Sequence, residues 1–172
     1  MTDITIKTGC RYSEMLVNLH ALTEGPNTDL GILANTASLL YWSMENVNWA
    51  GFYLRYGDVL QLGPFHGKPA CSQIEMGKGV CGTAARDRST VVVDDVRGFP
   101  GHIACDPDSR SEIVVPLIIK GDLFGVLDVD SPLEGRFGKD ERLFLESVAR
   151  VMSQVLLRCT KLIRPESAAE SA

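Results

Sequence analysis

The sequence predicts an α+β fold: one domain whose mostly antiparallel sheet of five or six strands carries N-terminal and C-terminal helices packed on one side. Three observations predict it. Helical periodicity belongs to the two ends of the chain and one short stretch in the middle. The principal strand-like runs come in pairs joined by tight-turn signals, Gly57-Asp58 and Lys120-Gly121-Asp122. No alternating strand–helix series of the kind that builds a doubly wound parallel sheet is present.

In chain order, Tyr12, Met15, Leu16, Leu19 and Leu22 recur at helical spacing. Pro26-Asn27-Thr28-Asp29 then breaks and recaps the chain, with Asn27 or Thr28 as N-cap. Leu30, Leu33, Ala34, Ala37, Leu40 and Tyr41 form the apolar side of a second helix that ends near Met44. Strand-like runs follow at Val47 to Tyr56 and Val59 to Phe65. Gly63 to Ser72 reads as a Gly/Pro-punctuated loop, and Ser72 to Met76 as short and polar. Val80 to Arg88 predicts a short helix, Thr90 to Val93 a short β-branched strand, and Gly98 to Asp108 an irregular loop. Glu112 to Ile119 and Leu123 to Asp130 form a hairpin. An amphipathic helix then runs from about Asp140 to Leu162, with Asp140 and Glu141 in its first turn and Arg158 and Lys161 in its last, as the macrodipole prefers. Residues 1–164 read as the domain and 165–172 as a disordered C-terminal tail.

The bulk numbers exclude several function classes. At 172 residues the chain can bury a core without disulfides or a structural metal. Net charge is −5 with no basic stripe, which argues against nucleic acid. Residues 1–10 contain no apolar run of signal-peptide type, and no run approaches bilayer length, so the expected location is cytoplasmic, off any membrane. The five cysteines, Cys10, Cys71, Cys81, Cys105 and Cys159, are odd in number. In a reducing compartment that leaves catalytic or redox roles open and makes static disulfides unexpected. Cys159 reads as a small buried hydrophobe and Cys10 as a passive thiol.

Gly77-Lys78-Gly79-Val80-Cys81-Gly82 spells G-x-G-x-x-G, but no buried strand precedes it, so it reads as a glycine-rich turn feeding a helix. That turn places Cys81 near a helix N-terminus, which either stabilises its thiolate or simply buries a small residue; position alone favours neither. Cys105 lies in Phe99-Pro100-Gly101-His102-Ile103-Ala104-Cys105-Asp106, and Cys71 follows Gly67-Lys68-Pro69-Ala70. Both are loop thiols able to meet in a transient disulfide. Zinc held by some of His66, Cys71, Cys81, His102 and Cys105 is the weaker reading, since no C-x-x-C pair is present.

The hairpin gives an acidic signal. A three-residue loop at Lys120-Gly121-Asp122 would set Glu112 opposite Asp130 and Val114 opposite Asp128, gathering three carboxyls on one face at the open end. Mutual repulsion would then keep a proton available near neutral pH. A two-residue loop would instead send Glu112 to the other face. On the first strand, Trp49, Gly51 and Tyr53 share a face, and the glycine between two aromatics suggests a slot for a soft sulfur or a cation; ordinary core aromatics remain the alternative.

Gly79-Val80-Cys81-Gly82 and the strand Phe124 to Asp130 resemble common features of GAF domains. Asn48 to Tyr53, Gly63 to Cys71, Phe99 to Asp106, Ser111 to Pro116 and Gly125 to Pro132 resemble the free methionine-(R)-sulfoxide reductases in particular, over a span from about Tyr12 to Leu157. The resemblance implies Cys105 as nucleophile, Cys71 as the usual resolving thiol and Cys81 as a third redox-active thiol. It also implies Glu112, Asp128 and Asp130 in the substrate pocket, with Trp49 and Tyr53 as its aromatic wall. Glu112 would act as the neutral acid that protonates the sulfoxide oxygen. Thioredoxin would reduce the disulfide, the chain would be a homodimer, and no cofactor or metal is expected. His66 departs from the family pattern, where Gln is more usual. The rival reading is a non-catalytic GAF sensor of a small ligand, which would need no thiols. A zinc-dependent hydrolase is the third class.

Overall fold

In the computed structural model, which describes residues 2–25, 28–101 and 106–159 and side chains from residue 11 onward, the chain alternates helices and strands as follows. Helices α1 (Thr2–Leu22) and α2 (Asp29–Ser43) precede strands β1 (Trp49–Tyr56), β2 (Val59–Gly67) and β3 (Gln73–Glu75). Helix α3 (Gly79–Asp87), strand β4 (Val91–Val93), a 3₁₀ turn (Val96–Gly98), strands β5 (Ser111–Ile119) and β6 (Asp122–Ser131) and helix α4 (Lys139–Arg158) complete it. The six strands form one sheet in the order β3-β2-β1-β6-β5-β4, every neighbouring pair antiparallel.

Alternation along the strands sorts side chains to two faces. Ala50, Phe52 and Leu54 of β1, Ile113, Val115 and Leu117 of β5, and Leu127 and Val129 of β6 pack with Leu19, Leu33, Leu40, Leu145 and Met152 from α1, α2 and α4. The terminal helices therefore share one side, as expected. The opposite face carries Tyr53, Val114 and Val126 against Val80, Cys81, Ala84 and Ala85 of α3. Among the described residues, α3 is the one helix packed on this face, and the space beside it is the cavity described below. Among the described residues, no helix is long and apolar enough to cross a membrane.

The helix ends follow their capping chemistry. Thr28 is the N-cap of α2, its Oγ1 accepting from the Gly31 amide at 3.1 Å; Asn27 lies outside the described residues. Helix α4 carries Asp140 and Glu141 in its first turn and Arg158 in its last, while Lys161 and the tail residues 165–172 lie outside the described residues. Tyr12 of α1 stacks on Phe144 of α4 with ring centroids 4.5 Å apart, and its hydroxyl donates to Glu141 at 2.7 Å. Two elements differ from expectation. Strand β2 runs on to Gly67 because its backbone stays paired with β1 through Phe65, His66 and Gly67. Strand β3 forms from the polar stretch Gln73–Glu75, whose only buried side chain is Ile74.

The β5–β6 hairpin corrects a detail of the register. Its loop has two residues, Lys120 and Gly121, both with positive φ (53° and 84°), and Ile119 pairs with Asp122. This is the type I′ geometry that suits a twisted hairpin. Alone it would displace the pairing by one residue, but an irregularity between Leu117 and Ile118 absorbs the shift. From Leu117 downward the register is the one a three-residue loop would have set: Val114 opposite Asp128 and Glu112 opposite Asp130.

Candidate active site

The open end of the hairpin gathers the three carboxyls on the face away from the terminal helices. Strand β1 lies against it, with Trp49 opposite Asp130, Gly51 opposite Asp128 and Tyr53 opposite Val126. Helix α3 closes the top: Cys81 Sγ stands 3.9 Å from Glu112 Oε1. Glu112 and Asp128 are each 6 % exposed, and Asp130 is the more open of the three. Together with Trp49, Tyr53, Pro69, Ala70 and the first residues of α3 they line a partly open cavity.

Burial governs the electrostatics. Desolvation raises the Glu112 carboxyl well above its ordinary range, reinforced by Asp128 and then Asp130. Asp128 is pushed up to about 7, chiefly by burial, with hydrogen bonds from Cys81 and Glu112 pulling it back. Asp130 is raised by its surroundings and then by Asp128 and Asp106. The cluster thus retains protons at neutral pH. Among the described residues, Asp128 Oδ1 is buried without a hydrogen-bond partner. The thiol of Cys81 is also raised well above its usual value, first by burial and then by Asp128 and Glu112. Of the two readings left open for Cys81, the structure supports the buried neutral thiol over the stabilised thiolate. Donor atoms of Cys81, Glu112 and Asp128 lie within 4.8 Å of one another, close enough to share a proton or a cation.

These shifts predict a pH dependence of stability. A carboxyl whose pKa is raised by folding binds more protons in the native than in the unfolded chain, so stability falls as pH rises from the unfolded value toward the folded one. For Asp128 that window runs from 3.8 to about 7. Carboxyls held low, such as Asp95 at about 2 beside Arg97, keep a constant stabilising contribution across this window and lose it only as pH falls below 3.8. Calorimetry of the ligand-free protein is therefore expected to give a Tm at pH 8 lower than at pH 5.5 by ~4–8 °C, taking a loss of ~2 kcal/mol and ~2–4 °C per kcal/mol. A Tm that rose over that interval would contradict the assignment of buried, protonated acids.

The aromatic wall is built as expected, except for its slot. Trp49 stacks between Phe65 (5.3 Å between centroids) and Tyr53 (6.0 Å). A Cβ on Gly51 would come within 2.4 Å of Phe65 Cβ and 2.6 Å of Trp49 Cη2. The space over Gly51 is thus filled by these rings, and the glycine serves their close approach. Gly82 has a similar role: a Cβ there would meet the Glu75 carbonyl at 2.4 Å, so the G-x-G-x-x-G run is a tight turn packed under α3.

The thiols divide. Cys71 is half-buried on the loop after Ala70, and its carbonyl accepts from the Tyr53 hydroxyl at 3.0 Å. Cys159 is half-buried at the end of α4, its thiol donating to the Val155 carbonyl at 3.5 Å, far from this chemistry. Cys105 and His102 lie outside the described residues, as does the side chain of Cys10. His66 does not line the cavity; it accepts from Trp42 Nε1 at 2.9 Å and packs edge-on to Tyr41.

Sequence reasoning missed Asp106 and Ser109, which also line the cavity. Asp106 is buried, and its carboxylate accepts from the Asp108 amide at 2.9 Å. Burial would raise its pKa, but that amide, the Lys68 ammonium and Asn48 together hold it below the usual value. The Asp106-Pro107-Asp108 run was the available signal, since an aspartate before a turn commonly bonds the amide two residues on.

Comparison with known proteins converges on one group. The GAF domain family matches residues 30–156. The chain is 46 % identical over 145 residues to a free methionine-R-sulfoxide reductase of Escherichia coli (strain K12), covering 84 % of this chain and 88 % of that protein. It is 40 % identical over 149 residues to a protein of the same description from Saccharomyces cerevisiae, covering 82 % and 83 %. The free methionine-R-sulfoxide reductase from Neisseria meningitidis, solved in complex with its substrate, superposes with a TM-score of 0.81 at 41 % identity, covering 84 % of this chain and 87 % of that one. With this sheet, this cavity and these relatives, the chain belongs to the GAF domain family and, within it, to the free methionine-R-sulfoxide reductases.

Proposed function

We propose that the protein reduces free L-methionine (R)-S-oxide to L-methionine with Cys105 as nucleophile and Cys71 as a resolving thiol. The observation that carries this reading is the buried carboxyl cluster of Glu112, Asp128 and Asp130 lining a cavity with an aromatic wall beside it. A sulfoxide oxygen leaves sulfur only when protonated, and Glu112 is buried in the state that can donate. The Cys105 thiolate attacks the sulfoxide sulfur. Oxygen passes to the cysteine, which is oxidised to a sulfenic acid as the sulfoxide is reduced to the thioether. The Cys71 thiol then attacks that sulfenic acid, releasing water and closing a disulfide. Thioredoxin returns both thiols by exchange. Cys81, a buried neutral thiol, stands as a reserve redox partner and as a neighbour of Glu112.

The polarity of the cavity suits a zwitterion. Asp128 and Asp130 offer acceptors to an ammonium. Gly79, Val80 and Cys81, which also line the cavity, open α3, which has no side-chain N-cap, and such an end favours a carboxylate. A methionine sulfoxide within a protein has neither charge, so burying its amides here would cost what the free amino acid regains by pairing. The same reading makes the protein a cytoplasmic homodimer. The test is a thioredoxin-coupled assay on free (R)- and (S)-sulfoxides and on a sulfoxide-bearing peptide. Turnover of the free (R) form alone is expected; equal turnover of the peptide, or none of any substrate, would overturn the proposal.

A further inference from the structure

Lys68 stands three residues before Cys71 on the loop that follows β2. Its carbonyl accepts from Trp49 Nε1 at 3.1 Å, and the Tyr53 hydroxyl holds the Cys71 carbonyl. Both aromatic wall residues thus pin the backbone of this loop. The Lys68 ammonium reaches in the other direction, to Asp106 Oδ1 at 3.1 Å and to Asp108. Asp106 is the residue that follows Cys105 in the chain.

An exposed lysine on an exposed acid would signify little. Here the partners are unequal: the Lys68 side chain is 55 % exposed, whereas that of Asp106 is 3 % exposed. Asp106 is a buried anchor, also bonded by Asn48 Nδ2 at 3.3 Å, and it lines a cavity already crowded with acids. Lys68 supplies the cation of that anchor. We propose that Lys68 is a positioning residue for the second half-reaction: its ion pair with Asp106 ties the Cys71 loop to the segment bearing Cys105, and so sets how fast the disulfide closes. The inference rests on the reading of Cys105 and Cys71 given above. The first half-reaction needs only Cys105, substrate and acid; the second needs two loops in register.

The experiment mixes reduced protein with excess free methionine (R)-sulfoxide and no reductant. It follows methionine formed per chain, loss of free thiols, and sulfenic acid trapped by dimedone. The wild type is expected to form one methionine and lose two thiols with little trapped acid. Lys68→Met is expected to form its methionine within about twofold of the wild-type rate, to close the disulfide about tenfold or more slowly, and to accumulate dimedone adduct at Cys105. Lys68→Arg, which keeps the charge, is expected to restore closure. Should Lys68→Met not fold, Lys68→Gln carries the same expectation. Disulfide closure at the wild-type rate, or equal slowing of both steps, overturns the role of Lys68. Failure of the wild type to release methionine, or undiminished release by Cys105→Ser, overturns the underlying reading instead, so the two failures are distinguishable.

Discussion

Cys105→Ser is expected to lose sulfoxide reduction altogether, by roughly 10⁴-fold or more in turnover, as nucleophile removal does in other covalent mechanisms. A hydroxyl cannot accept the sulfoxide oxygen as a thiolate does. The described lining of the cavity includes Trp49, Tyr53, Glu112, Asp128 and Asp130, all of which the variant keeps. The variant should therefore keep its Tm and still bind the substrate, with turnover alone abolished. Turnover is read by methionine formation with thioredoxin, binding by calorimetric titration. Cys71→Ser should behave differently: one methionine per chain in the first cycle, then slow recycling through whichever thiol remains. A Cys105→Ser protein within tenfold of wild-type turnover would remove the nucleophile assignment.

The second large effect belongs to Glu112. Glu112→Gln keeps the shape and the hydrogen-bonding capacity but cannot release a proton, so kcat is expected to fall by about 10²–10⁴-fold. A control is built into the electrostatics. Glu112 shares its pocket with Asp128 and Asp130, and each raises its pKa. The substitution removes a buried acid whose ionisation is opposed by burial and by both neighbours, so the variant should be more stable than the wild type at pH 8 while being far less active. The wild-type kcat should decline on the alkaline side as the Glu112 carboxyl ionises, and that limb should vanish in the variant. Full turnover by Glu112→Gln, or a loss of activity that tracks a loss of stability, would sink the role of general acid.

Much of this arrangement was legible in the residues, for identifiable reasons. The helices declared themselves by 3.6-residue periodicity. The carboxyl cluster followed from period-two alternation along Phe124, Val126, Asp128 and Asp130, which is insensitive to tertiary context once the face is fixed. What escaped notice was governed by partners distant in sequence. Gln73–Glu75 carries no strand signature and is ordered by pairing with Val59–Gln61. The protonation of Cys81 could not be read from its place at a helix start, because burial beneath two acids outweighs the helix dipole. Asp106 could be placed in a turn by its neighbours, but its tie to Lys68 spans 38 residues and no local pattern encodes it.

The irregularity at Leu117 and Ile118 has an evolutionary implication. It uncouples the tip of the β5–β6 hairpin from the chemistry at its base, as a slack link isolates one end of a chain from the other. A tip that gains a residue can consume the irregularity and leave the lower strands untouched. The tip is therefore free to drift among descendants of this sequence, provided that what it gains the strand surrenders, while the acids beneath hold their places.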